Sequence, residues 1–279
     1  MESFENKVVV VTGAASGIGK GIAESFAAAG AQLLLSDIEP AALKQAHEAI
    51  AAGGAKVASL VADVAVKKDV EALASYAFDE LGGCHIVCNN AGVAENNLKT
   101  WELTSEDWNW VLGVNLNGVV NGVSCFVPKM LAAGEAGHIV NTASIGGLIA
   151  GLALPAYSVS KHAVVALSEC LYNDLRKEQT AIGVSVLCPG WINTGIGESD
   201  RNRPNRPDLT PELERSREAF KQSISAGMDP IEVGRIVLDG IREKRFYLFT
   251  HPQWNGVIKD RFDAIMDGEK PASTYLPRS

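Results

Sequence analysis

The pair in this sequence with the most specific chemistry is Tyr157 and Lys161. The two residues stand four positions apart in a segment of helical pattern, so their side chains share one helix face. A free phenol titrates at a pKa of about 10, and a neighbouring ammonium stabilises the phenolate and lowers that value. Such a pair can pass a proton to or from an oxygen near neutral pH. Alone, however, a Tyr-x-x-x-Lys pair is more often surface decoration.

A second candidate is a glycine-rich turn with the spacing Gly-x-x-x-Gly-x-Gly. It follows the β-branched run Lys7–Thr12 and opens a segment, Gly17–Ala29, whose apolar residues recur at helical spacing. Between a strand and a helix, glycines let a diphosphate approach the helix N-terminus closely. A purely structural turn is the alternative. The dinucleotide contacts predicted here are Gly13, Ser16, Gly17, Ile18 and Gly19.

Asp37 ends the second predicted strand, 18 residues beyond Gly19. At about this spacing a carboxylate accepts hydrogen bonds from the adenosine ribose hydroxyls and repels a 2′-phosphate. Neither Ser36 nor Ile38 supplies a positive charge for such a phosphate. Asp37 therefore predicts NAD rather than NADP as the cofactor, with a helix-capping role as the alternative.

Strand and helix patterns alternate along the chain and position these candidates. Strands this apolar, separated by helices, indicate an α/β fold, a Rossmann-type doubly wound parallel sheet with helices on both faces. No linker divides the chain, so we expect one domain over 1–279. The predicted strands are Lys7–Thr12, Ala31–Ser36, Lys56–Val61, His85–Cys88, His138–Thr142, Gly183–Cys188 and Arg245–Thr250. The predicted helices are Gly17–Ala29, Glu39–Ala52, Lys68–Leu81, one from Thr104 toward Met130, Ala156–Glu178 and Ile231–Glu243.

The composition of the chain limits the classes of binding partner that we expect. A net charge of −8 over 279 residues repels phosphate backbones and anionic membranes, so we expect neither nucleic acid nor membrane as a partner. No run reaches about 18 uninterrupted apolar residues, and the acidic N-terminus lacks a basic signal-peptide region. The five cysteines stand in apolar contexts without a His/Cys cluster, which predicts no metal and a reducing cytoplasm.

Five motifs, in order and at consistent spacing, make the chain resemble the short-chain dehydrogenase/reductase family. They are the glycine turn, Asp63-Val64, Asn89-Asn90-Ala91-Gly92, Ser144 with Tyr157-Ser-Val-Ser-Lys161, and Pro189-Gly190 with Thr194. The resemblance covers about residues 7–194. It implies contacts to the dinucleotide from Asp63, Val64, Asn90, Gly92, Tyr157, Lys161, Pro189, Gly190, Ile192 and Thr194.

The same resemblance implies four catalytic residues. Tyr157 gives a proton in reduction and takes one in oxidation, and Lys161 also bonds the nicotinamide ribose. Ser144 orients the substrate oxygen. Asn115 supports a water-linked proton path to the lysine, unless it is only a helix-interior amide bonded to its own backbone. The implied reaction is hydride transfer between an alcohol or ketone and the nicotinamide, which the cofactor performs itself.

The substrate is less defined. Apolar segments after Asn90, Ser144 and Pro189 predict a bulky, largely uncharged secondary alcohol or its ketone, although the same residues also suit core packing. The polar stretch 195–213 is either a lid or a solvated insertion, within a substrate lid of about 191–228. Its arginines, Arg201, Arg203 and Arg206, are candidates to fold inward.

The C-terminal extension, about 245–279, departs from the family's usual glycine-rich final strand. Together with Gly113–Val119 and Phe126–Met130, it is similar to bacterial Cα-dehydrogenases that act in aryl-ether breakdown. The long helices of the second half favour a homodimer or homotetramer. The alternatives are a catalytically silent NAD-sensing or scaffold protein and an NADP-dependent carbonyl reductase.

Overall fold

The molecule is built on a parallel sheet. The structure is a computed structural model that describes residues 1–151, 154–205 and 210–271. Within these ranges seven strands pair in the order β3-β2-β1-β4-β5-β6-β7, and every pairing is parallel. The strands are β1 Val8–Thr12, β2 Gln32–Asp37, β3 Val57–Val61, β4 Ile86–Asn89, β5 Gly137–Thr142, β6 Ile182–Cys188 and β7 Tyr247–Phe249. The order reverses between β1 and β4, where open α/β sheets bind ligands beyond the carboxyl ends of their strands.

Helices connect the strands and cover both faces of the sheet. They are α1 Gly17–Ala28, α2 Pro40–Ala52, α3 Lys67–Asp79, α4 Ser105–Leu112, α5 Gly118–Ala133, α6 Pro155–Lys177, α7 Pro211–Ser225, α8 Pro230–Arg242 and α9 Asn255–Met266. Three short 3₁₀ turns lie at Ile145–Gly147, Ile196–Asn202 and Pro252–Trp254, and a π-helical segment occupies Gly113–Asn117.

The alternation of side chains along each strand divides the core into two layers. On β1, Val9 and Val11 pack with α1, α2 and α8, whereas Val10 packs with α3 and α5 on the other face. Because both faces are covered, the strand is apolar at every position, as is typical of parallel sheets. The predicted fold class, a single Rossmann-type domain, is confirmed.

Two predicted elements differ in detail. The helix expected from Thr104 toward Met130 is interrupted by the π-helical segment. In this segment the Asn115 side chain forms hydrogen bonds with residues outside the helix. The stretch predicted as a loop over 195–213 contains a 3₁₀ turn and the start of α7. Pro and Arg suggested a loop there, but Thr210 caps α7 by accepting a hydrogen bond from the Leu213 amide.

The C-terminal extension also takes a defined form as far as it is described. The final strand is three residues long, because β7 pairs with β6 only over Val186–Cys188. A helix, α9, follows it, and Trp254 just before its first residue is buried. The rest of the predicted extension, 272–279, lies outside the described residues.

The continuous helical run Ser105–Ala133 is long and apolar enough to cross a membrane by length and composition. In this fold it packs beside the sheet, with 44% of its most apolar window buried, and it carries Asn115 into the interior. Packing within the domain therefore covers part of its apolar surface.

The crossing of α1 and α8 depends on two glycines. A Cβ added to Gly21 would stand 2.2 Å from the Pro230 carbonyl oxygen, and one added to Gly234 would stand 2.2 Å from Ser25 Oγ. Both distances are below any real contact, so the helices approach this closely only because neither residue has a side chain.

We expect Gly234→Ala to push α8 away from α1 and to lower the free energy of unfolding by about 1–3 kcal/mol in denaturant titrations. The control is Gly256→Ala on α9, where a Cβ meets nothing within 4 Å; it should leave stability equal or slightly higher. Equal stability of the two variants would show that the helix crossing has room to relax.

Candidate active site

A cavity of about 420 Å³ opens at the carboxyl edge of the sheet, around the ends of β1, β4, β5 and β6. Most of the sequence-predicted site residues line it: Gly13, Ser16, Gly17, Ile18, Asp37, Asp63, Val64, Asn90, Gly92, Ser144, Tyr157, Lys161, Pro189, Gly190, Ile192 and Thr194. Gly19 and Asn115 are buried and do not line the cavity.

The glycine turn has the geometry of a cradle. Gly13 and Gly17 adopt positive φ angles of 64° and 51°, a region that other residues rarely enter. A Cβ on Gly19 would stand 2.1 Å from the Gly13 carbonyl oxygen, so Gly19 is needed for the turn to close beneath the cavity. The Ser16 side chain does not cap α1, and the helix N-terminus faces the cavity wall.

Asp37 connects this turn to the end of β2. One carboxylate oxygen accepts a hydrogen bond from the Ala15 amide at 3.0 Å, and the other accepts one from the Glu39 amide at 3.1 Å. Burial raises the pKa of this carboxyl, while the two amides oppose the shift. Asp37 therefore has the local bonding role weighed as the alternative, and it also faces the cavity.

Two threonines that the sequence reasoning missed hold Asn90 in place. The Thr12 hydroxyl accepts hydrogen bonds from the amides of Asn90 and Ala91, and the Asn90 side chain donates to the Thr12 carbonyl. The Thr142 hydroxyl donates to the side-chain oxygen Oδ1 of Asn90 at 3.3 Å. Only their positions in the sequence could have indicated this role, because Thr12 ends β1 and Thr142 ends β5.

Lys161 is almost completely buried, with 3% of its surface exposed. Its ammonium donates to the Thr142 carbonyl at 2.8 Å and lies 5.6 Å from the centre of the Tyr157 ring. Burial lowers the pKa of this ammonium to about 8. Lys161 thus keeps a positive charge near neutral pH beside the phenol.

Tyr157 is half-buried because one side of its ring opens into the cavity. Burial raises the pKa of its phenol, and a hydrogen bond with Ser144 opposes that shift. The Ser144 hydroxyl in turn accepts a hydrogen bond from the Gly146 amide at 3.0 Å. The structure therefore brings Ser144, Tyr157 and Lys161 together on one wall.

Asn115 is fully buried and binds neighbours from two other segments. Its side chain accepts from the Val93 amide at 2.8 Å and donates to the Val93 carbonyl and to Ser160. These partners differ from the backbone of its own helix, which was the alternative. Gly92 lies between the two polar groups: a Cβ there would be 3.4 Å from the Lys161 ammonium and 3.5 Å from the Asn115 side-chain oxygen.

The connection from β6 to α7 covers the cavity and is tied down at several points. Ser199 exchanges hydrogen bonds with the Ala94 backbone. Arg201 forms an ion pair with Glu39 at 2.6 Å. Arg203 forms a buried ion pair with Asp107, so neither arginine is left for a substrate carboxylate. Arg206, the third candidate, lies outside the described residues.

One family model, described as short chain dehydrogenase, matches residues 7–205. The chain belongs to the short-chain dehydrogenase/reductase family. Its five motifs occupy the cavity edge expected from that membership, and the resemblance drawn from the sequence is confirmed.

Three similar proteins place the chain within this family. A short-chain dehydrogenase/reductase from Burkholderia phymatum, solved in complex with NAD, is 38% identical with a TM-score of 0.94 over 100% of both chains. A C alpha-dehydrogenase of Sphingobium sp. is 33% identical over 97% of this chain and 89% of that protein. The 1-deoxy-11-beta-hydroxypentalenate dehydrogenase of Streptomyces exfoliatus is 36% identical over 94% of this chain and 89% of that protein.

We expect Lys161→Met to stabilise this family member while removing a charge from its site. At pH 7 the variant should have a free energy of unfolding about 1–3 kcal/mol above wild type, because a buried ammonium with a lowered pKa opposes folding. That cost is complete below the folded pKa of about 8 and disappears above the ordinary value of 10.5. The stability difference should therefore shrink as pH rises between the two.

Denaturant titrations at pH 7 and pH 10 measure this difference. The control is Lys44→Met on α2, whose side chain is largely exposed in a pair with Glu48; it should show no such pH dependence. A Lys161→Met protein that is less stable than wild type at pH 7 would show that the Thr142 hydrogen bond outweighs the burial of charge.

Proposed function

We propose that this protein is an NAD-dependent oxidoreductase that interconverts a bulky, largely apolar secondary alcohol and its ketone, with Tyr157 as general acid and base. The observation that carries the proposal is the convergence of Ser144, Tyr157 and Lys161 on the wall of a cavity that also contains the glycine turn.

The cavity edge fits a dinucleotide. Gly13 and Gly17 leave the backbone of the turn open at positive φ, and α1 begins there without a side-chain cap. Free N–H groups at a helix N-terminus bind phosphate. A Cβ on Gly17 would be 2.9 Å from the Thr194 side chain, so the turn also keeps the cavity floor narrow. Bound here, NAD would supply the hydride chemistry.

The choice of NAD over NADP is supported by the charges at the adenosine end. Asp37 faces the cavity as a carboxylate acceptor. Arg201 in the β6–α7 connection lines the same cavity, and its guanidinium is engaged by Glu39. The Asp37 carboxylate would therefore repel a 2′-phosphate, and Arg201, already paired with Glu39, would not offset that repulsion. The NAD complex of the Burkholderia phymatum relative agrees with this choice.

The proton chemistry rests on three side chains. Tyr157 takes the alcohol proton in oxidation and returns it in reduction. The Lys161 ammonium, 5.6 Å from the centre of the Tyr157 ring, favours the phenolate. The hydrogen bond with Ser144 opposes the rise that burial causes in the pKa of the phenol. Ser144 donates to the substrate oxygen and fixes its position beside the phenol. Gly92 lies beside both the Lys161 ammonium and the Asn115 side-chain oxygen, and this proximity of the two polar groups supports a water-linked path by which the proton leaves.

The substrate side of the cavity is apolar and extended. It is lined by Ile145, Leu154, Trp191, Ile196, Phe220, Ile224 and Trp254. A second cavity of about 270 Å³ adjoins it between the loop at 94–97 and α7, and shares several of these residues. Two adjoining cavities favour a bulky substrate. The predicted lid of about 191–228 includes α7, and together with the extension from 245 it encloses this side through Trp191, Phe220 and Trp254.

A homodimer or homotetramer is the proposed assembly. Apolar side chains on α5 and α6 are exposed, among them Val120, Leu131, Val159 and Tyr172. Burying such residues between copies removes apolar surface from water. Sedimentation or light scattering would report a mass of two or four chains, and a single chain at micromolar concentration would contradict the proposal.

The activity is tested by following NADH formation with NAD and a panel of benzylic, cyclic and steroid secondary alcohols. Turnover with at least one bulky member is the expected result. NAD binding without turnover across a broad panel would instead favour a sensing or scaffold role.

Tyr157→Phe should lower kcat by about 10²–10⁴-fold, because the ring remains and only the proton-transferring oxygen is lost. NAD affinity, measured by calorimetry, should stay within about twofold of wild type. Tyr76→Phe on α3, remote from the cavity, is the matched control and should keep full turnover. Near wild-type turnover in Tyr157→Phe would remove this residue from the mechanism.

Asp37→Ala should narrow the preference for NAD over NADP, measured as the ratio of the two kcat/KM values, by about 10–100-fold; this is the value of one charge-assisted hydrogen bond, about 1.5–3 kcal/mol. Asp37→Asn separates charge from shape, since its amide oxygen still accepts from Ala15. An unchanged ratio in both variants would refute the role given to this carboxylate.

A further inference from the structure

Glu95 is a buried carboxylate whose contacts lie at the start of the helix that carries Tyr157. Only 5% of its surface is exposed. One oxygen accepts from the Ala156 amide at 2.7 Å, and the other accepts from the Tyr157 amide at 3.0 Å. None of the five sequence motifs includes Glu95.

The helix N-terminus explains why a carboxylate is needed there. The first turn of a helix leaves N–H groups without partners inside the helix. The residue before α6 is Leu154, whose side chain cannot accept a hydrogen bond, and Pro155 has no N–H to satisfy. The next two amides, of Ala156 and Tyr157, are the ones that Glu95 accepts, from 61 and 62 residues away in sequence.

We propose that Glu95, in the loop that follows β4, is a positioning residue that anchors the N-terminus of α6 and so holds the Tyr157 phenol in place for proton transfer. This inference rests on the proposed function, since it concerns the efficiency of Tyr157 in that reaction. Its structural part, the anchoring of α6, stands on the hydrogen bonds alone.

The same contact joins three parts of the site. Glu95 is preceded by Ala94, whose backbone exchanges two hydrogen bonds with the Ser199 hydroxyl of the β6–α7 connection. The loop at 92–98 is therefore attached to the covering segment on one side and to the catalytic helix on the other. Loss of the Glu95 carboxylate would release the helix and leave the covering segment attached.

The charge of Glu95 has an effect separate from its shape. A helix N-terminus carries a partial positive charge, which favours a nearby phenolate, and a carboxylate placed on it offsets that charge. Glu95 accordingly acts with burial to raise the pKa of the Tyr157 phenol. Replacing the carboxylate with an amide should lower that pKa and move the acid limb of alcohol oxidation to lower pH.

Other charges near Glu95 are largely compensated. Asp107 at the start of α4 is paired with Arg203, and Asp200 in the β6–α7 connection is paired with Arg217. Asp107 adds to burial in raising the pKa of the Glu95 carboxyl, while the amides of α6 oppose this.

Around the phenol itself, the titratable neighbours among the described residues are few. The Lys161 ammonium has a pKa lowered to about 8 by burial. The thiol of Cys188 has a pKa raised to about 12 by burial and stays neutral. A change at Glu95 should therefore appear as one shifted limb in the pH profile rather than as a new one.

Two variants separate the anchoring hydrogen bonds of Glu95 from its negative charge. Glu95→Ala removes both the hydrogen bonds and the charge, while Glu95→Gln removes the charge and keeps an oxygen that accepts from the α6 amides. Asp229→Ala is the control, because it removes a carboxylate that caps another helix, α8, by accepting from the Ile231 amide at 2.9 Å. The readouts are hydrogen exchange at 154–161 by mass spectrometry, kcat and its pH profile on an alcohol that wild type oxidises, and NAD affinity.

Glu95→Ala should exchange amide hydrogens faster at 154–161 and lose about tenfold or more in kcat, with NAD affinity within about twofold of wild type. Glu95→Gln should restore slow exchange and most of kcat, with its acid limb about 0.3–1 pH unit lower. Asp229→Ala should lower the melting temperature and leave kcat unchanged.

The inference is overturned if Glu95→Ala keeps the wild-type exchange rates and kcat. It is also overturned if Asp229→Ala, at an equal loss of stability, loses as much kcat as Glu95→Ala does. Equal impairment in Glu95→Gln and Glu95→Ala would also refute it. If wild type oxidises no alcohol in the panel, the proposed function fails, and the exchange rates alone decide whether Glu95 anchors α6.

Discussion

The buried ammonium of Lys161 is the constraint around which the site is built. Among the described residues its hydrogen-bond partner is a neutral backbone carbonyl, that of Thr142 at the end of β5. Placing a charge with so little compensation inside a protein is unfavourable, and the lowered pKa of about 8 reflects this. The fold accepts this cost where a positive charge can act on a neighbouring phenol.

The helix that carries Lys161 is packed closely against the turn after β5. A Cβ on Gly147 would stand 2.6 Å from the Lys161 carbonyl, so this turn can pack on α6 only with glycine there. A Cβ on Gly92 would make an ordinary contact, 3.4 Å from the ammonium. Glycines thus serve this site in two places: the cradle at the start of α1, and the close packing of the turn after β5 on the helix that carries Tyr157 and Lys161.

The fold and most of the cavity-lining residues were predictable because they depend on local patterns. Apolar strands between amphipathic helices indicate a doubly wound sheet, and the ends of parallel strands then bring Asp37, Asn90 and Ser144 to one edge. Motif spacing placed Tyr157 and Lys161 on one helix face. The position of Thr142 was equally available, since it ends a strand, but nothing in its residue type signals a partner for a lysine.

What could not be predicted depends on contacts between distant segments. Glu95 accepts hydrogen bonds from amides 61 and 62 positions later in the chain, and Arg201 pairs with a residue 162 positions earlier. The π-helical interruption at Gly113–Asn117 has a similar origin, because the Asn115 side chain is committed to Val93 and Ser160. Secondary-structure propensity depends on neighbouring residues in the chain and therefore does not predict contacts between segments so far apart.

In the proposed function, a secondary alcohol bound in the cavity gives its hydride to NAD while Tyr157 takes the proton. This transfer can be followed with benzylic and cyclic secondary alcohols deuterated at the carbinol carbon, and NMR of the nicotinamide product. We expect deuterium on one face of the nicotinamide C4 of NADH, in amounts equal to the ketone formed. NAD that binds but acquires no deuterium from any alcohol in the panel would contradict it.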